Sequence, residues 1–227
     1  MKSTVKGDKG EAKVIEELNK LKDEQYLINN LILLGDNNVS HQFDHILIRP
    51  NGVFVIETKN YYGDIKGSID DTYWTKSFVN RGRLHVEKFM NPIKQNNAHI
   101  RFLKKVLGRD IPFVNIVVFV DNDVSPLGIY TVMNLSQLNK RISLWETTTP
   151  ISKEKMKYIY DTLLHLEADI QSEDHVSNIK ILKKDRRNKM QEYILVIEKG
   201  LCPVCGNKVQ MNKNVYTCPK CKYKLVV

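Results

Sequence analysis

The stretch from Gln42 to Asn60 constrains the fold more than any other part of this 227-residue chain. It predicts two short strands, 44–49 and 53–59, joined by a tight turn at Asn51-Gly52. Asn-Gly tolerates the positive φ angles of a two-residue hairpin turn, and apolar runs flank it on both sides. A different loop length stays open, because Pro50 lacks the N–H that one closing hydrogen bond requires.

Three charged side chains meet on one face of this predicted hairpin. A two-residue loop would place Asp44 opposite Lys59 and Ile46 opposite Glu57. Glu57 and Lys59 are two positions apart on one strand, so both point to the same side, with Asp44 diagonal to Glu57. A one-residue slip in register would scatter the cluster. The cluster is either a cross-strand salt bridge, which contributes roughly 0.2–1 kcal/mol, or a catalytic site.

The position of the two acids favours the catalytic interpretation. The strand reads Val-Phe-Val-Ile before Glu57, and acids at the end of such an apolar strand are costly unless a cation compensates them. Asp44 and Glu57 offer the oxygen ligands that Mg²⁺ prefers, and the main-chain carbonyl of Thr58 offers a third. A metal ion activates water and offsets charge on a phosphate, while Lys59 would position the water or stabilise the transition state. The hairpin therefore predicts hydrolysis of a phosphodiester assisted by Mg²⁺ or Mn²⁺.

The rest of the first 171 residues predicts interspersed helices and strands. Apolar residues recur at helical spacing after Gly10, after the Asn91-Pro92 cap and after Ser152. The predicted elements are a helix at 10–21, a strand at 26–34, a short strand at 64–66, an exposed hairpin or loop at 76–87, a helix from Pro92 to Gly108, a buried strand at 113–120, short strands at 129–132 and 143–145 around a helix that begins near Ser136, and a helix from Ser152 to Ile170. This order predicts an α/β (mixed α+β) fold built on a mixed sheet.

Two further polar residues, taken alone, carry weak signals. Glu11 projects near the edge of the buried stripe of its helix, where an acid in the first turn also suits the helix dipole. Gln95 lies in the first turn of the helix that begins at Pro92, a position typical of surface or capping residues.

The formal charge of +9 is concentrated after residue 171. Residues 172–227 hold twelve Lys or Arg and five Asp or Glu, whereas residues 1–171 hold twenty-three and twenty-one. Residues 172–200 predict a linker and a basic amphipathic helix, whose cations include Lys183, Lys184, Arg186 and Arg187. Such a run is either a solvated face or a surface that binds nucleic acid.

All four cysteines lie in the last 26 residues, as two Cys-x-x-Cys pairs separated by twelve residues. Cys202, Cys205, Cys218 and Cys221 provide the four thiolates of a tetrahedral zinc site. Disulfides and free thiols are the alternatives; a reducing cytoplasm disfavours the first, and the double spacing disfavours the second. Four protein ligands leave no open position, so residues 201–227 predict a zinc ribbon with a structural ion, folding only with its metal.

Hydropathy predicts a cytoplasmic protein outside the membrane. No apolar run approaches the roughly eighteen residues that a membrane span requires. The N-terminus, Met-Lys-Ser-Thr-Val-Lys-Gly, has no apolar signal core.

These residues together resemble the nuclease-related domain (NERD) family of the PD-(D/E)xK nuclease superfamily. The similar pieces cover about residues 8–120 in order: Gly10-Glu11, Gln42-Phe43-Asp44-His45, Gly52 to Asn60, Gly63, Gly67, Trp74 and Asn91-Pro92-Ile93-Lys94-Gln95. The resemblance implies a restriction-endonuclease-like core, in which helices flank a mixed sheet. It also implies a catalytic set of Glu11, Asp44, Glu57 and Lys59, with Gln95 as an auxiliary residue. The C-terminal segment is similar to the small zinc ribbons of some type I DNA topoisomerases, which contact DNA.

The sequence thus supports two hypotheses of different classes. The first is a Mg²⁺-dependent nuclease acting on DNA, with a nuclease-like domain at 1–171 and a basic tail and zinc ribbon that hold nucleic acid. The second is a nucleic-acid-binding or adaptor protein that keeps the nuclease fold without turnover. A ribbon that recruits the enzyme through protein contacts is a third option.

Overall fold

The apolar strands predicted around residue 50 lie at the centre of a five-stranded sheet. A computed structural model describes residues 2–35, 40–167, 195–203, 205–212, 215–221 and 224–226. The chain divides into two compact units, Met1–Asp169 and Ile170–Val227. The helices and strands are α1 Lys2–Leu18, β1 Tyr26–Leu34, β2 Ser40–Arg49, β3 Gly52–Lys59, β4 Asp64–Lys66, β5 Tyr73–Asn80, β6 Arg83–Met90, α2 Pro92–Leu107, β7 Phe113–Phe119, β8 Val132–Asn134, α3 Leu138–Ser143, α4 Lys153–His165, β9 Gln210–Asn212, β10 Val215–Thr217 and β11 Lys224–Val226.

The central sheet is mixed, with strand order β1-β2-β3-β7-β8. The β1–β2 and β2–β3 pairs are antiparallel, whereas the β3–β7 and β7–β8 pairs are parallel. Strand β3 is buried from Gly52 to Glu57, and β7 is buried from Ile116 to Phe119. Near-continuous apolar strands of this kind require cover on both faces.

Helices cover both faces of the sheet, which gives three layers. On one face, α2 and α4 pack Leu103 and Ile159 against Ile46 and Val55. On the other, α1 and α3 pack against Phe54 and its neighbours. The predicted fold class, a mixed α/β core with a central mixed sheet flanked by helices, is confirmed.

The predicted register of the β2–β3 hairpin is wrong by two residues. Arg49 pairs with Gly52 and Ile46 with Val55, so the turn is Pro50-Asn51. Proline suits the second position of such a turn because its φ is fixed near −65°. Asn51 serves another purpose, since its side-chain amide donates to the carbonyls of Ile142 and Trp145 at 2.8 and 3.0 Å. A shift of two residues keeps every side chain on its face, whereas a shift of one would not.

Several predicted boundaries also differ from the structure. The first helix begins at Lys2, so Glu11 lies in its middle and not in a first turn. Residues 143–145 are not a strand, because Ser143 ends α3 and Trp145 packs edge-on against Phe54 at 6.2 Å. The third parallel strand is Val132–Asn134 rather than 129–132. The last helix of the core ends at His165, while residues 168–170 lie outside the described residues.

A separate antiparallel sheet, β4-β5-β6, follows β3. The predicted hairpin or loop at 76–87 is part of its long β5–β6 hairpin. Arg81 and Gly82 form the turn with φ values of 50° and 74°, the positive values that a two-residue hairpin turn requires. Trp74 anchors the sheet with no exposed surface, and its indole N–H donates to the carbonyl of Ser68 at 2.8 Å.

The second unit is described in part. Residues 195–198 are helical, and β9, β10 and β11 form a three-stranded antiparallel sheet. Most of the predicted linker and basic helix at 172–200 lies outside the described residues, including Lys183, Lys184, Arg186 and Arg187. In the part of the chain that the structure describes, no helix combines the length and the apolar character that crossing a bilayer requires.

Candidate active site and cysteine cluster

Glu57, Lys59 and Gln95 form a hydrogen-bonded cluster where β3 leaves the core. The ammonium of Lys59 donates to Oε1 of Glu57 at 2.5 Å, and the amide of Gln95 donates to the same oxygen at 2.8 Å. Lys59 also donates to Oε1 of Gln95 at 3.3 Å. Glu57 and Lys59 point the same way because they are two positions apart on one strand. Helix α2 presents Gln95 to them from its first turn.

Asp44 is held at a gap between β2 and β3. The pairing of the two strands ends at His45 and Ile56, and beyond it Oδ2 of Asp44 accepts the backbone N–H of Thr58 at 2.8 Å. The carboxylate thus replaces the carbonyl that a continued ladder would offer. The carbonyl of Thr58 points to the same side as its N–H, since paired residues exchange both groups with one neighbour. The carboxylate of Asp44 and the main-chain carbonyl oxygen of Thr58 therefore both face the space between the two strands.

Charge coupling ties these groups together. Burial, followed by repulsion from Glu57, raises the pKa of Asp44 well above its usual range, although the Thr58 N–H and Lys59 oppose this shift. Burial alone would lower the pKa of Lys59, but attraction to Glu57 and Tyr61 and the hydrogen bond to Glu57 outweigh it and raise the pKa. Lys59 is consequently a cation at neutral pH, beside a carboxylate that is costly to ionise.

Helix α1 brings Glu11 to the same end of β3. Gly10 is buried, and a Cβ atom there would lie 2.7 Å from Cβ of Asn60, the residue that follows β3. This close approach places half-buried Glu11 near enough to raise the pKa of Asp44 by repulsion. The five residues predicted for the site therefore lie together, and their catalytic roles remain predictions.

The donor set suits a hard divalent cation. Both bonds to Glu57 fall on Oε1 and the bond to Asp44 falls on Oδ2. Within the described residues, each acid keeps its second oxygen outside these bonds. A cation between Asp44 and Glu57 would also relieve the repulsion that, after burial, raises the pKa of Asp44. Glu11, Asp44 and Glu57 are not grouped closely enough to count as three ligands of one ion. Among the described residues, the compact group of metal-type ligands is the four cysteines.

Two supporting residues were not predicted from the sequence. Tyr61 lies close enough to Lys59 to raise its pKa. Buried Asn96 donates to the carbonyls of Val55 and Ile116 at 2.7 and 3.1 Å, which fixes α2 against β3 and β7. Gln95 and Asn96 are consecutive, so this anchor also sets the position of Gln95. The sequence offers only a weak signal for Asn96, a polar residue among apolar positions of an amphipathic helix.

The four cysteines of the second unit form a compact cluster. The sulfurs of Cys202 and Cys221 are 3.5 Å apart, as are those of Cys205 and Cys218, and all four lie within 4.8 Å of one another. Zn–S bonds of about 2.3 Å in a tetrahedron separate the sulfurs by ~3.8 Å, so the spacing fits a zinc ion. Hydrogen bonding, led by the backbone N–H of Asn207, lowers the pKa of Cys205 to about 6. The cluster has the ligands and the size of a zinc site.

Comparisons with known proteins place the chain in a family. A family model described as the nuclease-related domain matches residues 6–120, half of the chain and the part that holds all five site residues. An uncharacterized protein of Bacillus anthracis is 29% identical over 175 residues, which cover 74% of this chain and 79% of that protein. No solved structure matches. The match over residues 6–120 shows that this chain belongs to the nuclease-related domain (NERD) family.

Proposed function

We propose that this protein is a Mg²⁺- or Mn²⁺-dependent nuclease that hydrolyses phosphodiester bonds of DNA. The observation that carries the proposal is the Glu57–Lys59–Gln95 cluster beside Asp44, at the open end of a strand within the family match. An ordinary salt bridge has no need for a second acid whose pKa burial raises. Nuclease chemistry needs such a pair to hold a metal ion.

Asp44, Glu57 and the Thr58 carbonyl are the groups that would hold the ion. When bound, a divalent cation lowers the pKa of a coordinated water and offsets negative charge on the phosphate. Lys59 would donate to the phosphate oxygen on which charge develops as water adds to phosphorus and the bond to the departing sugar oxygen breaks. Gln95 would hold Glu57 and Lys59 in place, and Glu11 would orient water or substrate from α1.

The test compares cleavage by the full chain and by two near-isosteric variants, Glu57→Gln and Lys59→Met. Supercoiled and single-stranded DNA are incubated with Mg²⁺ or Mn²⁺. Removing one positioned charge should lower the turnover rate by about 100-fold or more. Lys157 and Asp161 form an exposed ion pair on α4, with Nζ and Oδ2 2.8 Å apart, so Lys157→Gln and Asp161→Asn are matched controls expected to keep full activity. Equal cleavage by wild type and both site variants would overturn the proposal.

A second function, a nucleic-acid-binding or adaptor protein without turnover, is favoured by one observation. Glu57 already has two protein partners on a single oxygen, which is also how a structural ion pair is satisfied. This alternative predicts salt-dependent binding of nucleic acid and no cleavage with any divalent ion. In that case Glu57→Gln would lower the thermal stability of the protein, and DNA would stay uncut by both wild type and variant.

We also propose that the four cysteines hold a structural zinc ion in a cytoplasmic protein, where thiols stay reduced. The basic residues Lys183, Lys184, Arg186 and Arg187 would add electrostatic affinity for DNA. Replacing all four with Gln should weaken DNA binding and flatten its salt dependence, measured by fluorescence anisotropy, while the chemical step of cleavage keeps its rate.

A further inference from the structure

We infer that one face of the β5–β6 hairpin is a nucleic-acid clamp that holds the substrate over the Glu57–Lys59 end of β3. The inference rests on the proposed function, because it names a substrate contact of the same site. It concerns a surface in the first unit, distinct from the basic tail.

The hairpin is strongly basic and shaped like a ribbon. Its residues 73–90 contain four Lys or Arg and one Asp or Glu. Each strand has eight residues, which span about 26 Å at ~3.3 Å per residue. A two-stranded ribbon of this kind fits the roughly 12 Å major groove of duplex DNA.

Cationic and aromatic side chains share one face of the ribbon with a single acid, Glu87, which pairs with Lys76 at 3.0 Å. Cross-strand pairs on this face are Asn80 with Arg83 and, one step inward, Phe78 with His85, whose rings stack at 5.4 Å. Arg81 sits at the turn, and four of these residues (Asn80, Arg81, Arg83 and His85) line a depression of about 560 Å³. All four are exposed, and within the described residues neither arginine forms an ion pair. Exposed cations beside aromatic rings suit phosphates and stacked bases.

This face is continuous with the candidate active site. Lys76 lies on it with Nζ 4.8 Å from the centre of the Tyr61 ring, and Tyr61 in turn raises the pKa of Lys59. At its base the same face packs Trp74 and Phe89 onto Phe119 of β7, which ends beside β3. The buried base fixes the ribbon to the sheet beside the end of β3.

The opposite face of the ribbon has a different chemistry. Val79, Leu84 and Val86 lie there with 63%, 69% and 60% exposure, and Lys88 is the cation among them. Lys88 therefore provides a matched control on the same strand as Arg83, because their side chains point to opposite faces.

The test measures binding of fluorescent single-stranded and duplex DNA by the full chain, with Ca²⁺ in place of Mg²⁺ to suppress turnover. The variant is Arg81→Asn with Arg83→Gln; asparagine is chosen because it tolerates the positive φ of residue 81. Loss of two phosphate contacts should weaken binding about tenfold or more and make the log–log salt slope shallower by ~1.5–2. Lys88→Gln and a double control on α2, Arg101→Gln with Lys104→Gln, should change affinity less than about threefold.

The outcomes separate this inference from the proposed nuclease activity. Weaker binding by the hairpin variant supports the clamp, even if wild type cleaves nothing. Equal losses of DNA affinity for the hairpin variant and the α2 control would show that binding depends only on net charge, and would overturn the clamp. Unchanged binding would overturn it as well, even if the enzyme cleaves DNA. Thermal unfolding of each variant checks that the ribbon remains folded.

Discussion

The two units of this chain are stabilised by different interactions. The first buries large apolar side chains such as Leu31, Leu103 and Phe119 on both faces of a five-stranded sheet. Among the described residues of the second unit, only Ile197, Cys202 and Cys218 are buried. A segment with little apolar burial offsets its conformational entropy through a cross-link such as a metal ion, and the proposed zinc site would supply one. We therefore expect the first unit's fold to follow from apolar periodicity, and the second unit's fold to follow from its cysteine ligands.

Removal of the proposed zinc ion should unfold the second unit, which is the largest change that we expect. Apparent binding free energies of structural zinc are about 10–16 kcal/mol, so chelation or Cys218→Ser should unfold the ribbon while the core stays intact. Both tryptophans, Trp74 and Trp145, lie in the first unit, so their fluorescence reports unfolding of the core alone. Reaction of the four thiols with a colorimetric reagent reports the ribbon.

Either of two results would contradict a metal dependence that is confined to the ribbon. Thiols that react equally fast before and after chelation would show that no metal holds the ribbon. A tryptophan-monitored unfolding midpoint that shifts when a zinc-selective chelator is added at constant free Mg²⁺ would show that the core depends on the zinc ion. Thr217→Ser is a control that leaves all four sulfurs in place.

The sequence predicted the strands and faces that carry the site residues better than the register between those strands. Strand identity, the shared face of Glu57 and Lys59 and the Asn91 cap followed from local periodicity and capping rules; Asn91 does accept the N–H of Ile93 at 2.9 Å. The register did not follow, because the Asn51 side chain binds carbonyls of residues 142 and 145, far away along the chain. Asn-Gly is a turn signal only where no tertiary contact needs the asparagine.

The position of Asp44 illustrates the same limit. The sequence identified it as an acid near Glu57 but not as an acceptor for the Thr58 N–H. That bond exists because β2 separates from β3 beyond His45. The alternation of apolar and polar residues along a strand does not reveal where two strands separate. Short apolar runs fail for a related reason: residues 143–145 carry no length signal to distinguish a strand from a helix end.

A smaller effect is expected from a histidine buried in the core. His45 is fully buried, its Nδ1 lies 2.7 Å from Oδ1 of Asn29, and burial lowers its pKa to about 4. The unfolded chain takes up this proton near pH 6.5, whereas the folded chain resists it down to about pH 4. Folding stability should therefore be lost as the pH falls through this window, by up to about 3 kcal/mol.

The pH effect is measured by denaturant unfolding of wild type and His45→Asn between pH 7.5 and 4.5, followed by tryptophan fluorescence. The asparagine amide can replace the Nδ1 donor without titrating. Asp44 shifts in the opposite sense, since its raised pKa makes protonation favour the folded state, but it is present in both proteins and cancels in their difference. A difference in stability that does not change with pH would refute the role of His45.

The smallest effect sharpens the link between core packing and the candidate site. In an open helix, Gly→Ala stabilises by about 1 kcal/mol, and Ala12→Gly on the exposed side of α1 should cost about that much. Gly10→Ala should instead destabilise by about 1–3 kcal/mol, because the new methyl group meets Cβ of Asn60 at 2.7 Å. Relief of that overlap would move α1, and with it Glu11, away from Asp44. The cleavage rate should therefore fall more for Gly10→Ala than for Ala12→Gly when both variants are assayed under conditions in which they are equally folded. Stabilisation by Gly10→Ala would show that α1 can shift at no cost and that its approach to β3 does not position Glu11.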